Sequence, residues 1–240
     1  MEAIVQTLAP LQPDLIGFQE AFHEKDRAIL AKGLKSIGLE YSHYFSSGLV
    51  GSGLYIVSRY PIEATFFHRF TVGGKWYKPW HGDWWAGKGI AMVRVKLPQG
   101  GYLHFYDTHG HANYGGHEYD KVVASNLEEC AAFIRKSSVD GIPTIVTGDF
   151  NCTVTSSQFS GMREKGQLVR AMKADSRIDH ILTRQDESIR WKVLSTVPVQ
   201  GKAAVAGKDV SLSDHPGYLS ALSLRVTMPK HSPETVTTSK

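Results

Sequence analysis

The pattern of apolar and polar positions along the chain predicts more strands than helices. Short runs rich in β-branched and aromatic residues predict strands over 15–18, 53–58, 64–70, 90–97, 102–107, 144–147, 178–183, 191–197 and 219–226. Apolar residues at helical spacing predict helices over 25–36 and 118–135, and the end of a helix over 2–8. Many strands with a few intervening helices indicate an α/β sandwich built of layers.

Three segments refine this pattern. The turn residues of 98–101 (Pro-Gln-Gly-Gly) join two strands and predict a hairpin. The longest helix, 118–135, has an apolar side formed by Val122, Val123, Leu127, Ala131 and Ile134. Segment 152–176 is rich in Ser and Lys and has no clear apolar period, so no element is predicted there.

The length and composition are those of one globular domain. The chain has 240 residues, of which 42% are apolar, and such a chain can bury a sizeable core. We expect a single domain over 1–228. Residues 229–240 are polar and rich in Pro, Thr and Ser, and we expect them to form a disordered tail.

Charge and cysteine content narrow the possible partners and compartment. The net charge of +4 is small and scattered, so we expect no nucleic-acid partner. Two cysteines, Cys130 and Cys152, are too few for a disulfide framework and favour a reducing, cytoplasmic compartment. The sequence contains no apolar run of 18 residues, so we predict no transmembrane segment. Residues 1–9 lack the pattern of a signal peptide.

The most informative polar residues follow the apolar run 142–146. Asp149 and Asn151, directly after Gly148, place a carboxylate and an amide at the end of a predicted strand. Such oxygen donors suit a divalent cation or a phosphate. The pattern alone is equally consistent with a simple turn after a strand.

Similar polar residues follow several other predicted strands. Glu20 comes just after strand 15–18, and His109 and His111 come just after strand 102–107. Two Asp-His dipeptides follow, Asp179-His180 and Asp214-His215. Neighbours on a strand point to opposite faces, so an Asp does not pair with the His beside it there. In a turn the two can converge, and the Asp can then orient the imidazole.

The order of these residues and four longer motifs carry a family resemblance. The chain resembles the endonuclease/exonuclease/phosphatase superfamily, and within it the neutral sphingomyelinases of the animal type. The similarity runs in register over about 13–151 and again over 177–226. Its most specific part is the Gly-Asp-Trp-Trp-x-Gly-Lys segment. The motifs are Gly51-Ser52-Gly53-Leu54, Ser58-Arg59-Tyr60-Pro61-Ile62, His81-Gly82-Asp83-Trp84-Trp85-Ala86-Gly87-Lys88-Gly89 and Thr108-His109-Gly110-His111-Ala112-Asn113-Tyr114.

The resemblance implies a four-layer α-β-β-α sandwich and a metal-dependent phosphodiesterase. The expected cofactor is Mg²⁺, with Mn²⁺ possible, since both accept oxygen donors. The expected substrate is sphingomyelin at a membrane surface, giving ceramide and phosphocholine, or a related choline phospholipid. The resemblance therefore implies a peripherally membrane-associated catalytic domain.

The resemblance also implies a role for each candidate residue. Glu20 would hold the metal, and His215 would act as the general base on the attacking water. Asp214 would orient His215. The remaining candidates would position water or phosphate. Asp149 would orient or deprotonate the water, and Asn151 and His109 would contact the phosphate. Asp179 would support the site, and His111 is a further candidate. A purely structural role remains open for each residue. Glu20 can be a solvated residue at the start of a helix, and His109 can make a structural hydrogen bond.

The Trp-rich segment before residue 89 allows two interpretations. Asp83 and Lys88 form either a surface ion pair, which contributes little, or a loop switch beside the site. Trp80, Trp84 and Trp85 lie among Gly, Lys, Pro and His residues, which favours a membrane contact over a place in the core.

Two features depart from the family pattern. Superfamily members normally open with a strand that carries an Asn near the metal, and this chain has no equivalent before Glu20. Only 25 residues separate Asn151 from Arg177, fewer than the family usually has. We therefore expect a shortened relative with a gap in one sheet. Two alternatives stay open: another phosphoesterase or nuclease of the superfamily, or a catalytically inactive relative that binds membranes.

Overall fold

A six-stranded sheet forms the centre of the protein. The computed structural model describes residues 1–74, 86–113, 117–174 and 177–227. The strands run in the order β4-β5-β6-β7-β9-β8, and all neighbours are antiparallel except β6 and β7. Their bounds are β4 Ile62–Arg69, β5 Gly89–Lys96, β6 Tyr102–His109, β7 Thr144–Asp149, β8 Leu168–Arg170 and β9 Asp179–Arg184.

The other strands form three smaller units. A three-stranded antiparallel sheet has the order β1-β3-β2, and two long strands, β10 and β13, pair with each other. A short hairpin joins β11 to β12. The bounds are β1 Leu15–Phe18, β2 Tyr41–Tyr44, β3 Tyr55–Ser58, β10 Ile189–Val199, β11 Lys202–Val205, β12 Lys208–Ser211 and β13 Gly217–Val226.

Four α-helices of the described residues pack outside these sheets. Their bounds are α1 Glu2–Leu8, α2 Glu24–Lys35, α3 Asp120–Ser137 and α4 Ser157–Gly166. Single 3₁₀ turns cover Ala9–Leu11 and His117–Tyr119. No helix in the described ranges is both long and apolar enough to span a bilayer.

Three clusters of buried side chains define the layers. The first joins the six-stranded sheet to α3 and α4, and the second joins that sheet to β3. Residues of β5 alternate between them, because Ile90 faces the helices and Ala91 faces β3. The third cluster joins β1 and β3 to α1 and α2. The layers therefore follow the expected α-β-β-α order, which confirms the fold class.

The strongest sequence patterns correspond to real elements. All five apolar residues expected on one side of the long helix are buried in α3. The predicted hairpin after residue 90 is β5–β6. The prediction for 152–176 was wrong, because α4 and β8 lie there. Ser156 caps α4 by accepting a hydrogen bond from the Phe159 amide.

A groove separates β1 from β13. Within the described residues, β1 pairs only with β3, and β13 pairs only with β10. Both strands line a groove of about 540 Å³, which extends from α1 to Asp179 and His215. One end of this groove is the candidate site.

Candidate active site

A row of three polar residues crosses adjacent strands of the central sheet. His109 at the end of β6 is in register with Asp149 at the end of β7, and Asp149 is in register with Asp179 at the start of β9. Residues directly opposite each other on neighbouring strands project to the same face. The alternation of the strands thus places one imidazole and two carboxylates side by side.

His215 meets this row from the loop before β13. Its Nδ1 lies 2.9 Å from Asp179 Oδ2, and its Nε2 lies 3.9 Å from Asp149 Oδ2. The hydrogen bond is made with Asp179, whereas Asp214, which we expected to orient His215, lies farther away. Asp214 Oδ1 is 3.7 Å from His215 Nε2, on a side chain that is 94% exposed. The carboxylate that orients His215 therefore comes from the other Asp-His dipeptide.

The environment of these groups changes their proton affinity. Burial raises the pKa of Asp149 to about 6, and burial also raises the pKa of Asp179. Burial acts to lower the pKa of His215, but the carboxylates of Asp179 and Asp149 outweigh it, so this pKa is raised. The imidazole is thereby made a stronger base than an isolated histidine.

Glu20 reaches the row from the neighbouring sheet. It follows β1 with a left-handed backbone (φ 58°), and its Oε1 lies 3.9 Å from His109 Nε2. Its side chain is 73% exposed. Glu20 is thus at the open rim of the site, where a carboxylate can bind an incoming ligand without a large desolvation cost.

Lys88 lies beneath His109. Its Nζ is 2.9 Å from His109 Nε2 and donates to the Gly110 carbonyl at 2.8 Å. The residue is only 7% exposed, and both interpretations that pair it with Asp83 stay predictions. Because an ammonium group can only donate, Nε2 of His109 is the acceptor. Asp83, the expected partner in a loop switch, lies outside the described residues, as do Trp80, Trp84 and Trp85.

Asn151 is fixed at the strand end by its own backbone. Its φ of 49° is left-handed, and its amide N donates to Asp149 Oδ1 at 2.7 Å. The side-chain Nδ2 donates to the Gly110 carbonyl at 3.0 Å. Asn151 therefore lies at the site and joins the ends of β6 and β7.

His111 and His180 have their described contacts outside the row. His111 is buried, stacks on Tyr119 with ring centroids 4.5 Å apart, and its Nδ1 lies 2.7 Å from the Ala112 carbonyl. His180 points to the opposite face of β9, where its Nε2 contacts the Cys152 carbonyl at 2.8 Å. Both make structural contacts, although both belong to motifs that suggested catalysis.

Sequence reasoning missed a buried carboxyl group beneath the site. Asp107 is fully buried in β6, and Gln19 Nε2 and Thr147 Oγ1 donate to its Oδ1 at 2.7 and 3.0 Å. Burial raises its pKa to about 7. These bonds connect β1 to the central sheet close to Glu20. The only sequence signal for it was an acidic residue inside the predicted strand 102–107.

Two carboxylates of the row form a candidate set of metal donors together with His215. One donor atom each from Asp149, Asp179 and His215 lies within 4.8 Å of the others. Two carboxylates and an imidazole suit a divalent cation, and the carboxylates favour a hard one such as Mg²⁺. Glu20 could add a further carboxylate from the rim.

Comparison with known proteins agrees with this geometry. Residues 1–215 match the Endonuclease/Exonuclease/phosphatase family. The chain belongs to this family.

A relative from Drosophila melanogaster, named provisionally as a neutral sphingomyelinase, is 28% identical over 250 residues, which are 93% of this chain and 56% of the relative. Sphingomyelin phosphodiesterase 2 of Rattus norvegicus is 36% identical over 140 residues, 58% of this chain and 33% of the relative. An inositol phosphosphingolipids phospholipase C of Schizosaccharomyces pombe is 30% identical over 154 residues, 63% and 36% of the two chains. The chain thus spans between a third and just over half of these relatives.

The fold is also similar to that of a mutant beta toxin from Staphylococcus aureus with bound magnesium ions. The TM-score is 0.67 at 17% identity, and the match covers 95% of this chain and 91% of the toxin chain. Identity this low supports the shared fold alone.

Proposed function

We propose that this family member is a Mg²⁺-dependent phosphodiesterase that hydrolyses sphingomyelin to ceramide and phosphocholine. The observation that carries the proposal is the contact of His215 with Asp179 on one side and Asp149 on the other. This contact supports a base oriented by Asp179 beside the buried Asp149 carboxylate. The same three residues offer a donor set for a divalent cation.

His215 is the general base in this proposal. Asp179 accepts a hydrogen bond from Nδ1, which fixes the tautomer with Nε2 as the proton acceptor. Nε2 faces Asp149, whose carboxylate can hold the attacking water or support the imidazolium that forms. A raised pKa makes His215 a better acceptor for a water proton, provided that the pH keeps it neutral.

Glu20 and Asp149 are the residues we expect to hold Mg²⁺, with Mn²⁺ as a possible substitute. The cation would neutralise the phosphate and support the leaving oxygen as a Lewis acid. Lys88 adds positive charge behind His109, which favours an anionic substrate. Asn151 and His109 line the same strand ends, where they can contact phosphate oxygens, and Asp214 remains at the exposed rim.

The relatives support a sphingolipid substrate more strongly than one particular headgroup. The names of the fly and rat proteins indicate sphingomyelin, whereas that of the fission-yeast protein indicates inositol phosphosphingolipids. The shared chemistry is a phosphodiester bond on a sphingolipid. An inositol headgroup is therefore a second candidate. Such substrates lie in bilayers, so we also propose a peripheral membrane association in which Trp80, Trp84 and Trp85 take part, with cytoplasmic location.

A vesicle assay tests the proposal. Purified chain is incubated with sphingomyelin vesicles with Mg²⁺ or with a chelator, and phosphocholine release is measured. We expect Mg²⁺-dependent release that falls by about 10²–10⁴-fold in His215→Ala, the range for losing a general base. His117→Ala is the matched control, because His117 is fully exposed and pairs with Asp120.

The outcomes separate the alternatives. Activity that survives His215→Ala would refute the base assignment. Release of phosphoinositol but not phosphocholine would favour the second headgroup. Hydrolysis of neither lipid, with vesicles still bound, would leave an inactive membrane-binding relative.

A further inference from the structure

A small apolar loop projects beside the site. We call residues 48–51 (Gly48, Leu49, Val50 and Gly51) the apolar tip. Leu49 is 79% exposed, the largest exposed fraction of any large apolar residue in the described ranges, and its neighbour Val50 is 49% exposed. Glycines with left-handed backbones, φ 64° and 100°, flank the pair. The chain therefore turns sharply on each side and presents both aliphatic side chains outward.

The base of the loop is well fixed. Phe45 and Leu54 are buried in the core on the two sides of the tip, and the Phe45 amide donates to the Leu54 carbonyl at 3.1 Å. The buried Ser52 hydroxyl donates to the Phe45 carbonyl and accepts from the Leu54 amide. The exposure of the tip is thus held by a closed hydrogen-bonded loop.

Backbone contacts connect the loop that carries the apolar tip to the chain neighbours of two site residues, Lys88 and Glu20. On one side, the Gly87 amide donates to the Gly51 carbonyl at 2.9 Å, and Gly48 forms a β-bridge with Ala86. The next residue, Lys88, contacts His109.

On the other side, the Ala21 amide donates to the Gly53 carbonyl at 2.9 Å, directly after Glu20. The loop that carries the apolar tip is therefore tied to the segments of both Lys88 and Glu20.

The composition of the tip favours a lipid surface. Segment 45–54 contains no charged side chain, so it can enter a headgroup layer without the cost of desolvating a charge. Two aliphatic side chains are too small a surface for a stable protein interface, which buries roughly 800 Å² per partner. They suffice for shallow insertion at the boundary between headgroups and acyl chains.

We propose that Leu49 and Val50 insert into the surface of a phospholipid bilayer and hold the candidate active site against it. This proposal rests on the proposed function, because a bilayer substrate gives the insertion its purpose. It concerns residues separate from the Trp-rich segment. Insertion would bring Glu20 and the ends of β6 and β7 to the level of the lipid phosphates.

The test compares binding with two kinds of turnover. Partition of the full chain onto sphingomyelin/phosphatidylcholine vesicles is measured by sedimentation. Hydrolysis is measured on the same vesicles and on bis(p-nitrophenyl) phosphate, a water-soluble phosphodiester. For Leu49→Ser/Val50→Ser we expect at least a tenfold weaker partition, about the effect of losing one to two buried methylene equivalents per side chain. Vesicle turnover falls in parallel and recovers at high lipid, while turnover of the soluble substrate is unchanged.

The matched control is Val139→Ser. Val139 is 48% exposed, like Val50. It precedes β7, at the end of that strand opposite Asp149. It should leave vesicle partition unchanged. A gain-of-binding variant, Leu49→Trp, should bind vesicles more tightly, since Trp prefers the membrane interface.

Two results would overturn the proposal: wild-type partition in the double serine variant, or no tighter partition in Leu49→Trp. Failure of the proposed function has a different signature. In that case the wild type hydrolyses neither substrate, yet vesicle partition still reports on the apolar tip.

Discussion

Asp179 and His215 lie 36 positions apart in the chain and meet through a 2.9 Å hydrogen bond between Oδ2 and Nδ1. Each belongs to an Asp-His dipeptide, and the pair forms across the two dipeptides. His180, the neighbour of Asp179, turns to the other face of β9 and contacts the Cys152 carbonyl. The alternation of a strand thus separates Asp179 from His180 and makes its carboxylate available to His215.

Asp179→Asn should lower the pKa of His215. The Asp179 carboxylate raises that pKa by charge and by its hydrogen bond, so its removal lets burial dominate. NMR titration of the histidines in metal-free protein measures the change, and the acid limb of the activity profile should move to lower pH. Asp214→Asn is the control and should cause a smaller shift, since Asp214 is exposed. An unchanged His215 pKa in Asp179→Asn would contradict the assignment.

Mg²⁺ affinity should depend on Asp149 and on Glu20. The Asp149 pKa of about 6 means that the carboxyl group becomes protonated as the pH falls below that value, and a protonated carboxyl is a poor ligand. Calorimetric Mg²⁺ binding should therefore weaken between pH 7 and pH 5. Glu20→Gln should weaken it by about tenfold or more at pH 7. Unaltered affinity in Glu20→Gln would remove Glu20 from the metal site. Loss of binding in His215→Ala would make His215 a ligand instead of the base.

Gly17→Ala should destabilise the protein. A Cβ at this position in β1 would lie 2.4 Å from Asp107 Oδ1, and the buried carboxyl would have to move. We expect a loss of about 1–3 kcal/mol of unfolding free energy in denaturant titration. Gly161→Ala is the control, because it lies in α4 with open space around the new methyl group. That change should stabilise the protein by roughly 0.5–1 kcal/mol. Equal effects of the two substitutions would contradict the packing described for Asp107.

Stability should fall as the pH rises through the range in which Asp107 titrates. Its folded pKa is about 7 against an ordinary value of 3.8, so the folded protein holds the proton more tightly than the unfolded chain. The contribution is fully present below about pH 4 and is lost as the pH approaches and passes 7. At about 1.4 kcal/mol per pKa unit, the change is on the order of 4 kcal/mol. Denaturant titrations of wild type and Asp107→Asn should show a flatter pH profile for the variant. Equal slopes would mean that Asp107 is not protonated in the fold.

The sequence predicted elements with a strong apolar period and missed those without one. The helix α3 and strands β5, β6 and β7 have such periods and are found close to their predicted bounds. The hairpin β11–β12 is almost wholly exposed, so no buried apolar residue marks it. Helix α4 buries only Phe159, Met162 and Gly166 and begins at a Ser cap. Both depend on local turns and caps, which hydrophobic patterns do not record.

The site was predictable residue by residue but not contact by contact. Glu20, His109, Asp149, Asn151, Asp179 and His215 all gather at the same strand ends, as expected. The partner of His215 depends on strand alternation and loop path, and two Asp-His dipeptides give the same local signal. Asp107 was missed because its importance lies in burial between sheets, which requires the fold. Predictions for Asp83 and the three Trp residues concern a segment outside the described residues.

The row formed by His109, Asp149 and Asp179 has a mechanical consequence. The three strands that carry it are joined by continuous ladders of hydrogen bonds, so their spacing can change only if the sheet itself opens. Glu20 and His215 come from a turn and a loop outside that sheet. The site is thus half fixed and half adjustable. Hydrogen exchange at β6 and β7 should require global unfolding, whereas the segments with Glu20 and His215 can exchange by local opening and settle around a ligand.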